Sequence, residues 1–251
     1  MTAVVSAELL KLRTTRGPWL IVAALGLVAA AVLALNAALL GQPGQPALVP
    51  SVLGELVRAP GRLTGVAAVL IGLVLSTAEY RHATILITRL GHPRPAGLVA
   101  AKAAAAALAA AGLALAVELV MIVGGGAVLA GRGTDVQPLH HGIPAAAGVV
   151  TLVAVLYAVA GVGIGELLRS PALAVGVVLG WALLVEGVLP VVLRAPGLGR
   201  WLPSGVTESA LTLLWTGASP PLPAWTGLGM LAAYATILLA AGLVRSARTD
   251  P

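Results

Sequence analysis

Cysteine is absent from this sequence. That excludes a disulfide framework, a thiolate metal site and a thiol nucleophile. Charge is scarce as well. Asp, Glu, Lys and Arg make up 10% of the 251 residues, whereas a soluble globular chain carries roughly a quarter. So few charges cannot coat a water-soluble surface. Lysine occurs only as Lys11 and Lys102, and phenylalanine does not occur. No G-x-x-x-x-G-K-[ST] is present. Gly97 with Lys102 is the nearest pairing, and it lacks the adjacent Gly-Lys-Ser/Thr that cradles phosphate. Neither an H-E-x-x-H nor a Ser/His/Asp arrangement occurs, so an intramembrane protease gains no support. His140 and His141 lie near Asp135, but adjacent side chains do not converge on one ion, and no metal site is expected.

Apolar sequence fills the place of what is missing. Hydrophobic residues make up 59% of the chain, and the mean hydropathy is +1.02. About 20 such residues cross a bilayer as a helix. Six spans take about 120 residues, near half of the chain. The remainder divides into short flanks and loops, none with the roughly 100–200 residues of a soluble catalytic domain. A soluble enzyme, a secreted disulfide scaffold and a chain holding its own ATPase domain are excluded. The net charge of +6 and pI near 10.8 would suggest nucleic acid in a soluble protein. Here the basic residues flank apolar runs, which suits membrane topology. Nucleic acid is not an expected partner.

The expected fold is all-α, a single polytopic domain of six transmembrane helices. The spans fall at about residues 18–40, 63–78, 98–129, 143–164, 172–193 and 225–244. Residues 4–15 precede them, with Val5, Leu9 and Leu12 on one helical face and Glu8, Lys11 and Thr15 off it. This pattern suits a helix lying in the membrane interface. An ordinary basic flank is the plainer alternative. The run 18–40 exceeds the roughly 7–15 apolar residues of a signal peptide, so it is expected to be retained. Span 63–78 is short for a crossing. Span 98–129 is long, and Gly124-Gly125-Gly126 is where it is expected to loosen. Residues 49–58 and 206–214 suit short helices, the second capped by Ser204. A tight turn is expected to hold Glu166, Arg169 and Pro171.

Charge counting sets the orientation. With the N-terminus inside, the inner segments carry Lys11, Arg13, Arg16, Arg81, Arg89, Arg94, Lys102, Arg169, Arg245 and Arg248. The outer loops carry Arg58, Arg62, Arg132, Arg194 and Arg200. The bias predicts both termini in the cytoplasm.

Three features bear on function. Residues 79–97 form the most polar interior stretch and are longer than a turn requires. A short helix over 83–90, ended by Gly91 and Pro93, presents Ile85 and Leu86 beside Arg81 and Arg89. An apolar centre with a charged rim suits docking; a basic loop obeying the positive-inside bias is the alternative. Second, Glu118 and Glu186 lie within spans, where a charge costs about 2.5–3.5 kcal/mol. Each is a pathway or proton-relay carboxylate, or a structural carboxyl bonded to a neighbouring helix. Third, Gly161/Gly165 and Gly176/Gly180 form G-x-x-x-G pairs that permit close helix approach, within one chain or across a dimer.

The N-terminal run SAELLKLRTTRGPW resembles the interfacial elbow helix of type-2 ABC transporter permeases, the six-span membrane subunits of bacterial ATP-binding-cassette exporters. Glu79-Tyr80-Arg81-His82-Ala83-Thr84 resembles their acidic, aromatic, basic opening, with Ala83 where Gly is usual. Pro93-Arg94 followed by Lys102, and Leu202-Pro203-Ser204-Gly205 in the last outer loop, resemble later parts of the pattern. The resemblance implies a coupling segment of Glu79, Arg81, Thr84, Ile85, Arg89, Pro93 and Arg94 that docks on a separate ABC ATPase. It implies an elbow helix marked by Glu8, Lys11 and Leu12, and a dimeric core formed with a second copy or a paralogue. ATP and Mg would be bound by the partner subunit, with no cofactor and no catalytic residue in this chain. The implied location is the bacterial cytoplasmic membrane, in contact with membrane lipid. A proton-coupled secondary transporter using Glu118, and a non-transporting anchor or immunity protein, are the rival expectations. A pathway lined by Ala, Leu, Val and Gly names no substrate.

Overall fold

The computed structural model describes residues 2–39, 53, 56, 59–81, 95–134, 143–193, 196–212 and 222–248. Among them no strand occurs. The helices are α1 (Thr2–Thr14), α2 (Arg16–Leu39), α3 (Gly61–Arg81), α4 (Pro95–Ala130) and α5 (Ile143–Leu168). Next come α6 (Pro171–Gly180), a π-helical turn (Trp181–Val185) and α7 (Glu186–Val192), which together make one long stretch. A 3-10 turn (Pro196–Trp201), α8 (Pro203–Leu211) and α9 (Ala224–Arg248) complete the order. Six stretches are long and apolar enough to cross a bilayer: α2, α3, α4, α5, Pro171–Val192 and α9. The chain is thus an all-α, multi-pass membrane protein. The physical reason is that hydrocarbon offers no water to backbone amides, so each span must satisfy its own hydrogen bonds as a helix.

Helix α3 is the centre of the bundle. Of its apolar stretch, 67% is buried, against 11% in α2 and 6% in Pro171–Val192. Between α3 and α5 the contact is backbone on backbone. Gly72 of α3 leaves room for the Ala158 carbonyl, and Gly161 of α5 leaves room for the Val69 carbonyl. A Cβ on Gly165 would lie 2.7 Å from the Ser76 Cβ. On the other side of α5, Gly163 and Gly242 bring α9 equally close. Lipid tails are as apolar as leucine, so burial of grease does not drive these helices together; close packing at small residues does. The Gly161/Gly165 pair therefore works within one chain. Gly176 and Gly180 meet nothing within 4 Å.

Several sequence expectations change in detail. Helix α3 runs past both ends of 63–78, because the polar side chains of Ser76, Glu79 and Tyr80 find partners inside the protein. Helix α4 continues through Gly124–Gly126 without loosening. Those glycines admit neighbours instead: Leu33 of α2 beside Gly124, and Leu53 and Leu56 beside Gly125. Leu53 and Leu56, helical and buried, are the described part of the expected 49–58 helix. Glu166 lies within α5 and not in the turn after it. Ser204 is not the cap of α8. Leu202 is the N-cap residue, and the Ser204 amide is bonded by a carboxylate from another helix.

Candidate functional site

Five charged side chains meet at one end of the bundle. Lys102, in the second turn of α4, has no exposed surface. Its Nζ lies 2.9 Å from Glu79 Oε2 and 3.5 Å from Glu166 Oε1. The other oxygen of Glu79 accepts from Lys11 of α1 at 2.7 Å, and Lys11 also donates to Glu8 at 2.7 Å. Ser76 Oγ donates to Glu166 Oε1 at 2.8 Å, and Tyr80 OH donates to Glu166 Oε2 at 2.9 Å. Arg169 stands over the Tyr80 ring at 5.6 Å from its centre and donates to the Arg245 carbonyl at 3.2 Å. One connected set of bonds thus joins α1, α3, α4 and α5, and reaches α9 through Arg169.

Each helix delivers its group for a local reason. Glu79 and Ser76 are three residues apart on α3, hence on one face, and that face meets both α4 and α5. Lys102 lies two turns into α4, and with no exposed surface its ammonium finds carboxylates of α3 and α5 in place of water. Glu8 was expected off the apolar face of α1. It is buried there beside Leu12, because Lys11 follows at i+3 and neutralises it. Burial pushes the Lys11 ammonium toward the neutral form, but the bonds to Glu79 and Glu8 outweigh it, and its pKa is raised above the ordinary 10.5. Three carboxylates face two lysines here. Such a set is stable only while every member has its partner, since an isolated ion out of water costs several kcal/mol.

The segment that links α3 to α4 begins and ends at this network. Glu79 is two residues before the end of α3, and Lys102 is seven residues after the start of α4. Of the expected docking residues, Glu79 is in the network and Arg81 ends α3. Thr84, Ile85, Arg89, Pro93 and Arg94 lie outside the described residues, as do Asp135, His140 and His141. Sequence reading met Tyr80 and Lys102 only as parts of the permease-like pattern, and assigned neither of them, nor Glu166 or Ser76, to a site. A signal was present: Glu79, Lys102 and Glu166 each fall within two turns of a span end on the same side of the six-span layout.

The two carboxylates expected inside spans part company. Glu118 is 1% exposed, and neither of its oxygens has a hydrogen-bond partner among the described residues. It lies about 24 Å along α4 from Lys102, at a rise of about 1.5 Å per residue. Glu186 is half-buried. It accepts from Trp181 Nε1 at 3.0 Å and from the Ser204 amide at 3.2 Å, so it satisfies the N-terminus of α8 from outside that helix. Helix α8 covers the far end of the bundle. It is tied to α3 by the Arg62–Glu208 pair and to α5 by the Tyr157–Thr207 hydroxyl contact of 2.8 Å. Tyr234 of α9 bonds the Trp201 carbonyl at 2.8 Å just before it.

No protein-family model matches the chain. A search of curated proteins also finds no match.

Proposed function

We propose that this chain is the membrane-spanning subunit of an ATP-binding-cassette exporter in the bacterial cytoplasmic membrane, with both ends on the cytoplasmic side. It works with a separate ATPase and as a dimer of permeases. The observation that carries this reading is the buried ion network at the roots of residues 82–94. The Glu79–Lys102 pair ties the two ends of that segment together. A push on the segment by a docked ATPase then moves α3 and α4 as one body. Lys11 passes the movement to α1, and Glu166 passes it to α5. Low dielectric around the pair makes the linkage stiff, because charges held out of water attract strongly at short range. The resemblance of the elbow and of residues 79–84 to type-2 permeases supports the same assignment, and the basic bias of the network end supports its orientation.

The test is recovery of the partner. The chain, purified in mild detergent from its own cells, is expected to bring an ABC ATPase with it. Arg81→Glu with Arg89→Glu is expected to release that ATPase while the chain still inserts. An ATPase retained by the double variant at the wild-type ratio contradicts the docking role.

A second reading is favoured by Glu118. A buried mid-span carboxyl with no hydrogen-bond partner among the described residues suits a proton-coupled transporter. Flux that stops when the proton gradient is collapsed at constant ATP, and that fails in Glu118→Gln, selects this reading.

A further inference from the structure

An open groove of about 580 Å³ lies between the end of α5 and the last turns of α9, lined by Arg169, Ala241, Val244, Arg245 and Arg248. Among the described residues no acidic side chain lines it. Arg245 and Arg248 are exposed and three residues apart, so they stand on one face of α9. Arg169 reaches them from the other wall by its bond to the Arg245 carbonyl. Its backbone is unusual. At φ +55 it is the one described non-glycine residue in the left-handed region, a conformation that glycine adopts without steric cost. The position closes α5, its amide bonding the Gly165 carbonyl at 2.8 Å in the left-handed turn that ends many helices.

Below the arginines the groove wall turns apolar. Val244 and Ala241 line it, and Ile237, 64% exposed, continues the same face one turn deeper. Positions 237, 241, 244 and 248 follow the helical i, i+4, i+7, i+11 spacing. Cationic residues at the rim and an apolar track running into the bilayer match the two parts of one molecule.

We propose that this groove binds an anionic phospholipid of the leaflet on the ion-network side, its phosphate held by Arg169, Arg245 and Arg248 and an acyl chain laid along Val244, Ala241 and Ile237. Planar guanidinium groups suit phosphate oxygens because they donate in pairs. A free phosphate would use the rim alone and leave the track uncovered. The inference needs only membrane insertion and goes beyond the transport reading.

The experiment equilibrates the purified chain in detergent with equal phosphatidylglycerol and phosphatidylcholine, then measures retained lipid by mass spectrometry. Each basic residue near an anionic headgroup is worth roughly fivefold in affinity. The wild-type chain is expected to retain phosphatidylglycerol about 100-fold over phosphatidylcholine, less so as NaCl rises. Arg245→Gln with Arg248→Gln is expected to lower that preference by about 20-fold. Arg245→Lys with Arg248→Lys is expected to keep most of it. Equal retention of the two lipids by the wild-type chain overturns the proposal without any variant and shows that the arginines only offset the helix ends. A preference undiminished in the glutamine variant overturns it too, as does displacement of phosphatidylglycerol by millimolar inorganic phosphate. None of these outcomes depends on an ATPase, so failure here leaves the transport reading standing.

Discussion

Helix α4 carries two buried ionisable groups, and they are treated in opposite ways. Lys102 lies near its N-terminal end with two carboxylates within 3.5 Å. Glu118, sixteen positions on, has no hydrogen-bond partner among the described residues. Both are almost fully buried. The difference lies in what the neighbouring helices bring to each level. At the Lys102 end, α1, α3 and α5 each contribute a polar or charged group. At the level of Glu118 no described residue offers its carboxyl a hydrogen bond. Burial alone therefore says little about the role of a charge. A paired ion is part of the frame, whereas an unpaired carboxyl weakens the frame and is retained for another reason.

The largest expected effect attacks the paired end. Lys102→Met leaves Glu79 and Glu166 without their buried cation and is expected to cost about 3–5 kcal/mol. Thermal unfolding in detergent measures it, and adding Glu79→Gln is expected to restore part of the loss. A Lys102→Met protein as stable as wild type would erase the contrast. At the unpaired site the sign reverses. Glu118→Leu removes a carboxyl with no partner among the described residues and is expected to stabilise by about 1–3 kcal/mol, read from the same melts. Destabilisation there would mean that Glu118 has a partner in the working protein.

The glycine pairs offer a sharper test of similar size. Gly161→Ala drives a methyl group into the α3 backbone and is expected to cost about 1–3 kcal/mol. Gly176→Ala, which meets nothing within 4 Å, is expected to be neutral in the isolated chain. A loss at Gly176 that appears only when the chain is assembled with another protein would place that partner on this face.

The smallest effect concerns Lys11, whose side chain is 40% exposed. Its pKa is raised in the folded chain. The stability it contributes is therefore complete below its ordinary 10.5 and is lost as pH rises through the higher folded value. Release of α1 is expected only in strongly alkaline solution, and protease cleavage between α1 and α2 measures it. Release near pH 8 would show that Glu8 and Glu79 do not hold the lysine.

Some of the site was legible before the fold. Glu79 and Lys11 stood out by position beside spans, and Glu118 stood out as a charge in grease. Glu166 was placed in a turn because Arg169 and Pro171 follow it closely. In the folded chain Ser76, Tyr80 and Lys102 give its carboxylate partners, so α5 extends past it. Glu186 stood open between a pathway and a structural role, and the sequence did not show that Trp181 and the Ser204 amide bond its carboxylate. In each case the missing fact was a partner on another helix.

Sequence by itself settled that this is an all-helical membrane chain with six crossings, because span length and apolar content are local properties that the bilayer reads one segment at a time. Only the tertiary structure decided which charges meet. Glu79 joins Lys102 across 23 positions, Lys11 joins Glu79 across 68, and Ser76 joins Glu166 across 90. Such contacts depend on which helices pack closely, and here glycines at the α3–α5 seam set that, bringing two backbones near enough for their polar ends to bond.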